Sequence, residues 1–157
     1  MFEFDAESPN VLAPRKRPFH TIIPGFMEKD DVHVGFGIMG GLNQAQAHAQ
    51  FVSNVVDGGM NIQAALEAPR FTKLDFGGCN VTMERRVSAE VRDKLTNMGH
   101  IIQLVSDYSG RVGGGQAVIH DSKAGVNYGA SSPRKDGAAI PESPPYFRTV
   151  NRPPRSR

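Results

Sequence analysis

The chain has 157 residues, 39% of them hydrophobic, and a formal net charge of +2, which fits one globular domain. Acidic and basic residues are interspersed, and no basic stripe is interleaved with aromatic residues, so the charge pattern disfavours nucleic-acid binding. No apolar run reaches the roughly 18 residues needed to cross a bilayer, so no membrane span is expected. The first residues lack the basic and apolar regions of a signal peptide, and the compartment stays open.

The N-terminal part is predicted to start with an extended lead-in over residues 1–18, which is rich in proline and basic residues. A first strand is predicted over Phe19–Ile23, where β-branched and aromatic residues precede a Pro-Gly pair. The acidic residues 28–31 favour a hairpin turn. A second strand is then predicted over His33–Met39.

The second strand is expected to pack on one face only. Large apolar residues alternate along it with small or polar ones, so one face should join the core while the other admits a close neighbour. The apolar positions are Val34, Phe36 and Ile38. Gly40 and Gly41 end this strand, and Asn43 is predicted to cap an amphipathic helix that runs to the glycines at 58 and 59.

The remaining elements alternate between helices and strands, which predicts an α+β fold. They are a short helix capped by Asn61, a strand at Val81–Met83, a helix from Ser88 to Gly99 with an apolar stripe of Val91, Leu95 and Met98, and strands at 101–105, 116–120 and 126–130. Residues 19–141 are expected to form one unit. Residues 142–157, with four arginines and two Pro-Pro pairs, are expected to be a disordered tail.

Cysteine and histidine usage argues against disulfides and metal sites. The single Cys79 excludes an intramolecular disulfide, and its side chain is expected to be buried or half-buried. The histidines show no paired helical spacing and no HExxH arrangement, so no metal site is predicted. They are His20, His33, His48, His100 and His120.

The glycine pair carries the main chemical signal. Two small residues between a strand and a helix N-terminus allow consecutive backbone N–H groups to face one oxygen, which suits Gly40 and Gly41 to binding an oxyanion. The alternative is a tight turn that needs glycine for its dihedral angles alone. His20 and Thr21 are expected on the neighbouring strand, and either side chain can bond a carboxylate or an amide.

Two nucleotide-binding interpretations are disfavoured. Residues 35–40 fit a dinucleotide-binding glycine pattern with Asp57 as the ribose-binding acid, but the strand alternation continues through the motif and Asp57 ends a helix. The Gly-rich segment at 110–116 lacks the Gly-Lys-Ser/Thr ending of a phosphate-binding loop. It more simply predicts a close backbone crossing or a flexible loop.

Six short motifs, in this order and together, resemble the γ-glutamyltransferase family and its shorter γ-glutamyltransferase-like branch. They are Lys16–Thr21 (KRPFHT), Gly37–Gly41 (GIMGG), Val55–Asn61 (VVDGGMN), Ala65–Phe71 (ALEAPRF), Gly113–Ala117 (GGGQA) and Gly129–Arg134 (GASSPR). The resemblance implies that residues 19–141 are the C-terminal part of a four-layer αββα sandwich of the N-terminal-nucleophile hydrolase class. Such a precursor cleaves itself, and the new N-terminal threonine is the nucleophile.

The resemblance also implies roles for four residues. Gly40 and Gly41 match the oxyanion-hole glycines. His20 and Thr21 stand where many members have a serine pair that binds the substrate α-carboxylate, and this departure leaves strict specificity for γ-glutamyl amides such as glutathione open. No metal or cofactor is implied.

The part of the family that carries the nucleophile has no match in this chain. The motif with the nucleophilic threonine lies upstream of the matching region, so the chain alone is expected to be inactive and to need an N-terminal segment, or large subunit, as its partner. The alternative is a non-catalytic remnant that acts as an interaction protein.

Overall fold

The computed structural model describes residues 3–75 and 77–141, and the predicted tail at 142–157 lies outside these ranges. Helices and strands are mixed along the chain, which confirms the predicted α+β class. The elements are β1 (Gly25–Lys29), β2 (Val32–Ile38), α1 (Asn43–Val56), α2 (Ile62–Glu67), β3 (Phe71–Thr72), β4 (Asn80–Glu84), α3 (Ala89–Asn97), β5 (Ile101–Val105), a 3-10 turn (Gly110–Val112), β6 (Gly115–Asp121) and β7 (Val126–Ser131).

The core lies between one four-stranded sheet and two helices. The sheet is antiparallel in the order β1-β2-β6-β7, and the predicted apolar face of β2 packs on α1 and α2. The buried residues of this cluster are Val34, Phe36, Ile38, Ala47, Phe51, Ile62, Ala65, Leu66, Ala117 and Ala130. Removal of this apolar surface from water is the main stabilising contribution to the fold.

The other face of the same sheet is open in the part of the chain that the structure describes. Phe26, Gly35 and Val118 are paired across three strands and therefore lie on this face. Phe26 is 68% exposed and Val118 is 52% exposed, and nothing lies within 4 Å of a Cβ placed on Gly35. This sheet and the two helices thus form one sheet layer and one helical layer, as expected for part of the predicted four-layer sandwich.

A second sheet, in the order β3-β4-β5, lies beyond α2 in the chain. Its strands β4 and β5 are parallel and are connected by α3, whose N-terminus is capped by Ser88 as predicted. The predicted apolar stripe of α3 is only partly covered, however, since Leu95 is half-buried and no residue of α3 is fully buried. Val91 is 44% exposed, and Met98 is 75% exposed.

The prediction of the first strand was wrong. Residues 19–23 form no strand, and β1 begins only at Gly25 because the turn at Asp30 and Asp31 pairs Lys29 with Val32 and fixes the register from there. Gly25 then lies opposite Phe36, where a Cβ would come within 2.4 Å of the phenyl ring, so a larger residue would have to displace this buried ring. In the lead-in, the one regular feature among residues 3–18 is a bridge between Glu3 and Val11.

Two residue-level predictions were also wrong. Asn43 does not cap α1, because it is already the first helical residue and its side chain points inward, while Leu42 stands at the cap position without a side-chain bond. Cys79 is exposed rather than buried, since it lies in the loop that precedes β4. Among the described residues, no helix is long and apolar enough to span a membrane.

Candidate active site

The glycine pair lies between the end of β2 and the start of α1, as predicted. Gly40 has φ of 137° and Gly41 has φ of 61°, a region that side-chain-bearing residues rarely adopt. The N–H groups of Asn43 and Gln44 bond to the carbonyl oxygens of Gly40 and Gly41. The N–H groups of Gly40 and Gly41 themselves have no acceptor among the described residues.

These free donors lie at the positive end of the 14-residue helix α1. No side chain caps this end, so nothing in the described part of the chain competes for the donors. A Cβ placed on Gly41 would have no atom within 4 Å, which shows that the space beside this residue is open. The arrangement can therefore accept a negatively charged oxygen from a ligand.

The Gly-rich segment crosses directly behind the glycine pair, which confirms the predicted close backbone crossing. The N–H of Met39 donates to the carbonyl oxygen of Gly114 over 3.1 Å. A Cβ on Gly113 would lie 2.2 Å from the carbonyl oxygen of Met39 and 2.8 Å from Nδ2 of Asn43. Residue 113 must therefore be glycine for the two backbones to approach this closely.

Asn43 fills the space beneath the pair. It is completely buried, and both its Nδ2 and its Oδ1 lack a hydrogen-bond partner among the described residues. Leaving a buried amide unpaired costs roughly 1–3 kcal/mol for each polar group. The sequence indicated only that this residue could act as a helix cap, so the buried position was missed.

His48 fixes the end of β2 from the side of α1. Its Nε2 accepts a hydrogen bond from the N–H of Ile38 over 2.9 Å, and its ring meets Phe36 edge-on at 5.2 Å. Burial lowers the pKa of His48, which favours the neutral ring that this acceptor role requires. The side chain thus has a structural role two residues before the glycine pair.

His20 and Thr21 lie in an exposed segment that belongs to no strand. The carbonyl oxygen of Thr21 accepts a hydrogen bond from Nε2 of Gln44 over 2.8 Å, which places this segment beside the first turn of α1. The side chains of both residues make no hydrogen bond to the described part of the chain. Thr21 is therefore linked to the first turn of α1, although the strand predicted to hold His20 and Thr21 does not exist.

A buried ionic cluster of Arg70, Glu84 and Arg134 lies behind the Gly-rich segment, and each residue is at most 6% exposed. Arg134 donates to Glu84 through Nε (2.7 Å) and Nη2 (2.6 Å), and the backbone N–H of Ser109 donates to the same carboxylate over 2.9 Å. The sequence placed both arginines in motifs but gave no signal for Glu84, because its partners lie 50 and 25 positions away in the chain.

Glu84 supplies one carboxylate against the two guanidinium groups of the cluster. Burial alone would raise the pKa of Glu84, but its hydrogen bonds and the charge of Arg134 hold that pKa below its usual value. Burial, followed by the nearby charge of Arg134, lowers the pKa of Arg70 to about 10, against the opposite effect of Glu84. Arg70 and Glu84 are therefore charged at neutral pH.

Comparison with known proteins identifies the family of this chain. A model of the gamma-glutamyltranspeptidase family matches residues 1–142. The glutathione hydrolase-like YwrD proenzyme of Bacillus subtilis is 32% identical over 145 residues, which cover 88% of this chain and 27% of that protein. This chain thus spans about a quarter of the length of that relative.

Solved structures share the fold. Cephalosporin acylase from Bacillus halodurans aligns with a TM-score of 0.70 and 42% identity over 87% of this chain and 25% of that one. The transpeptidase CapD of Bacillus anthracis aligns with a TM-score of 0.69 and 26% identity over 85% of this chain and 79% of that one. The predicted fold class, that of the N-terminal-nucleophile hydrolases, is confirmed by these neighbours.

Proposed function

Since the chain belongs to the γ-glutamyltranspeptidase family, as its motifs predicted, we propose that it supplies the oxyanion-binding part of an enzyme that transfers or hydrolyses γ-glutamyl groups of glutathione-like amides. The nucleophilic threonine comes from an upstream segment that pairs with this chain. The observation that carries the proposal is the pair of free N–H groups at Gly40 and Gly41, at the start of α1.

The proposed reaction proceeds by acyl transfer. The hydroxyl of the threonine attacks the γ-carbonyl carbon while the α-amino group of the same threonine takes its proton. The carbonyl oxygen becomes an oxyanion, which the N–H groups of Gly40 and Gly41 stabilise. The C–N bond then breaks, the leaving amine receives the proton, and water or a second amine releases the acyl group from the threonine.

His20 and Thr21 are proposed to bind the α-carboxylate of the substrate. Both side chains are exposed and without a hydrogen bond to the described residues, and the link from Gln44 to Thr21 holds the segment near Gly40 and Gly41. A hydroxyl and an imidazole can each donate to a carboxylate. The departure from a serine pair should change the fit of the substrate rather than the chemistry at the oxyanion.

A binding role of Thr21 predicts a selective effect on KM. Thr21→Val keeps the shape of the side chain and the backbone link to Gln44 but removes the hydroxyl. In the two-segment enzyme, KM for a γ-glutamyl anilide should rise about tenfold, as expected for a lost bond to a charged group, with kcat little changed. Thr96→Val on α3 is the control, and an equal KM in both variants would contradict the assignment.

The isolated chain is predicted to be inactive. The purified 157-residue chain should release no chromophore from a γ-glutamyl anilide above a mock preparation, because the nucleophile is absent, and co-expression with the upstream segment should restore release. Turnover by the chain alone would refute the proposal that the nucleophile comes from an upstream segment. Stable expression without any upstream segment in the transcript would instead favour a non-catalytic remnant.

A second candidate function is cleavage of a different acyl amide. It is favoured by the 42% identity to a cephalosporin acylase and by the His-Thr pair at 20–21. The two functions are separated by assaying the two-segment enzyme on a γ-glutamyl anilide and on a glutaryl anilide, which keeps the terminal carboxylate but lacks the α-amino group. Preference for the glutaryl substrate in kcat/KM would select the acylase, whereas preference for the γ-glutamyl substrate would select the transpeptidase.

A further inference from the structure

Arg70 binds two backbone carbonyls from inside the protein, where it is 1% exposed. Its Nη1 donates to the carbonyl oxygen of Gly113 over 2.7 Å, and its Nη2 donates to that of Leu66 over 2.7 Å. The Leu66 oxygen also accepts a hydrogen bond from Nη1 of Arg134 over 2.7 Å. The Gly113 oxygen has no second donor among the described residues, so it depends on Arg70 alone.

Gly113 in turn contacts the peptide that precedes the glycine pair. Gly113 lies so close to the carbonyl oxygen of Met39 that a Cβ on residue 113 would be 2.2 Å from that oxygen. The carbonyl oxygen of the next residue, Gly114, accepts a hydrogen bond from the N–H of Met39. The carbonyl of Met39 and the N–H of Gly40 belong to one planar peptide unit. A shift of Gly113 therefore frees this plane to rotate, and the donor of Gly40 changes direction with it.

We propose that Arg70 is a positioning residue for the glycine pair, since it holds Gly113 against Met39 and so aims the N–H of Gly40 at the oxyanion. The catalytic half of this inference rests on the proposed function. The structural half, in which Arg70 holds Gly113 and Gly113 holds the peptide between Met39 and Gly40, depends only on the observed contacts. An oxyanion donor is effective only when it is already oriented, because reorientation during the reaction would cost part of the stabilisation.

Arg70 can be tested apart from the rest of the cluster. Glu84 keeps both bonds from Arg134 and the one from Ser109 when the Arg70 side chain is removed, and its bond from the backbone N–H of Arg70 survives any substitution except proline. Arg70→Met therefore leaves a neutral ion pair and removes the one donor to the Gly113 oxygen found among the described residues. Arg86→Met is the matched control, because Arg86 approaches Glu84 to 4.0 Å but donates to Glu67 and does not contact Gly113.

Two measurements decide the inference. Amide hydrogen exchange at Met39, whose N–H is bonded to the Gly114 oxygen, is measured by NMR on the two-segment protein with this chain isotopically labelled. It should accelerate at least several-fold relative to the exchange of α1 in Arg70→Met and remain unchanged in Arg86→Met. In the two-segment enzyme, kcat on a γ-glutamyl anilide should fall between about tenfold and a hundredfold with KM nearly constant, as expected for a misaligned transition-state donor. Arg70→Lys, which reaches one carbonyl only, should give an intermediate loss.

The outcomes separate the inference from the proposed function. Unchanged exchange at Met39 in Arg70→Met would overturn the inference, and so would an equal loss of kcat in Arg86→Met. Faster exchange at Met39 in Arg70→Met, found together with a wild-type two-segment protein that cleaves neither anilide, would support the link from Arg70 to the glycine pair and reject the proposed function. Altered exchange together with a selective loss of kcat would support both.

Discussion

Gly41→Ala in the two-segment enzyme is expected to lower kcat for γ-glutamyl transfer by roughly a hundredfold or more, the usual effect of losing one oxyanion donor. The added methyl group meets no atom within 4 Å, so the variant is not overpacked. The cause is the backbone: at φ of 61° an alanine is strained, and relaxation of the strain turns the N–H of residue 41 away from the oxyanion.

The strain also costs stability, about 1–2 kcal/mol, and a matched variant isolates that part. Gly59 follows α1 at its other end, has φ of 64° and is equally open, so Gly59→Ala carries the same backbone penalty away from the site. Both variants should show similar melting temperatures, and only Gly41→Ala should lose kcat. A loss of stability with kcat per folded molecule unchanged would show that the pair is only a turn.

Glu84→Gln is expected to lower the free energy of unfolding by about 3–5 kcal/mol, because it leaves the buried guanidinium groups of Arg70 and Arg134 without a counter-charge. Urea denaturation of the 157-residue chain at neutral pH measures the loss. The control is Glu90→Gln on α3, whose partner Lys94 is exposed, and its effect should stay within about 0.5 kcal/mol.

The pH dependence of this effect has a definite sign. The pKa of Glu84 is lower in the folded chain than in the unfolded one, so its contribution is present above the unfolded pKa and is lost as the pH falls through the folded value. The difference in stability between wild type and Glu84→Gln should therefore shrink on acidification. A difference below 1 kcal/mol at neutral pH would contradict the view that the cluster depends on this charge.

The local elements were largely predictable because their signals are local. Alternating apolar residues identified the buried face of β2, and Ser88 and Asn61 identified two helix starts whose capping bonds form in the structure. The first strand failed for a tertiary reason. The position of β1 is fixed by its pairing with β2 and by the space that Phe36 occupies over Gly25. The composition of residues 19–23 carries no information about either contact.

The sequence by itself determined the fold class, the family and the place of the glycine pair, because motif order, periodicity and glycine spacing are properties of the chain alone. Only the tertiary structure decided what supports that pair. Gly113 lies against Met39, and Arg70, Glu84 and Arg134 converge behind it from segments up to 64 positions apart. Charges and backbone groups so distant in sequence leave no periodic signal, and their partnership exists only once burial has removed water as the competing partner.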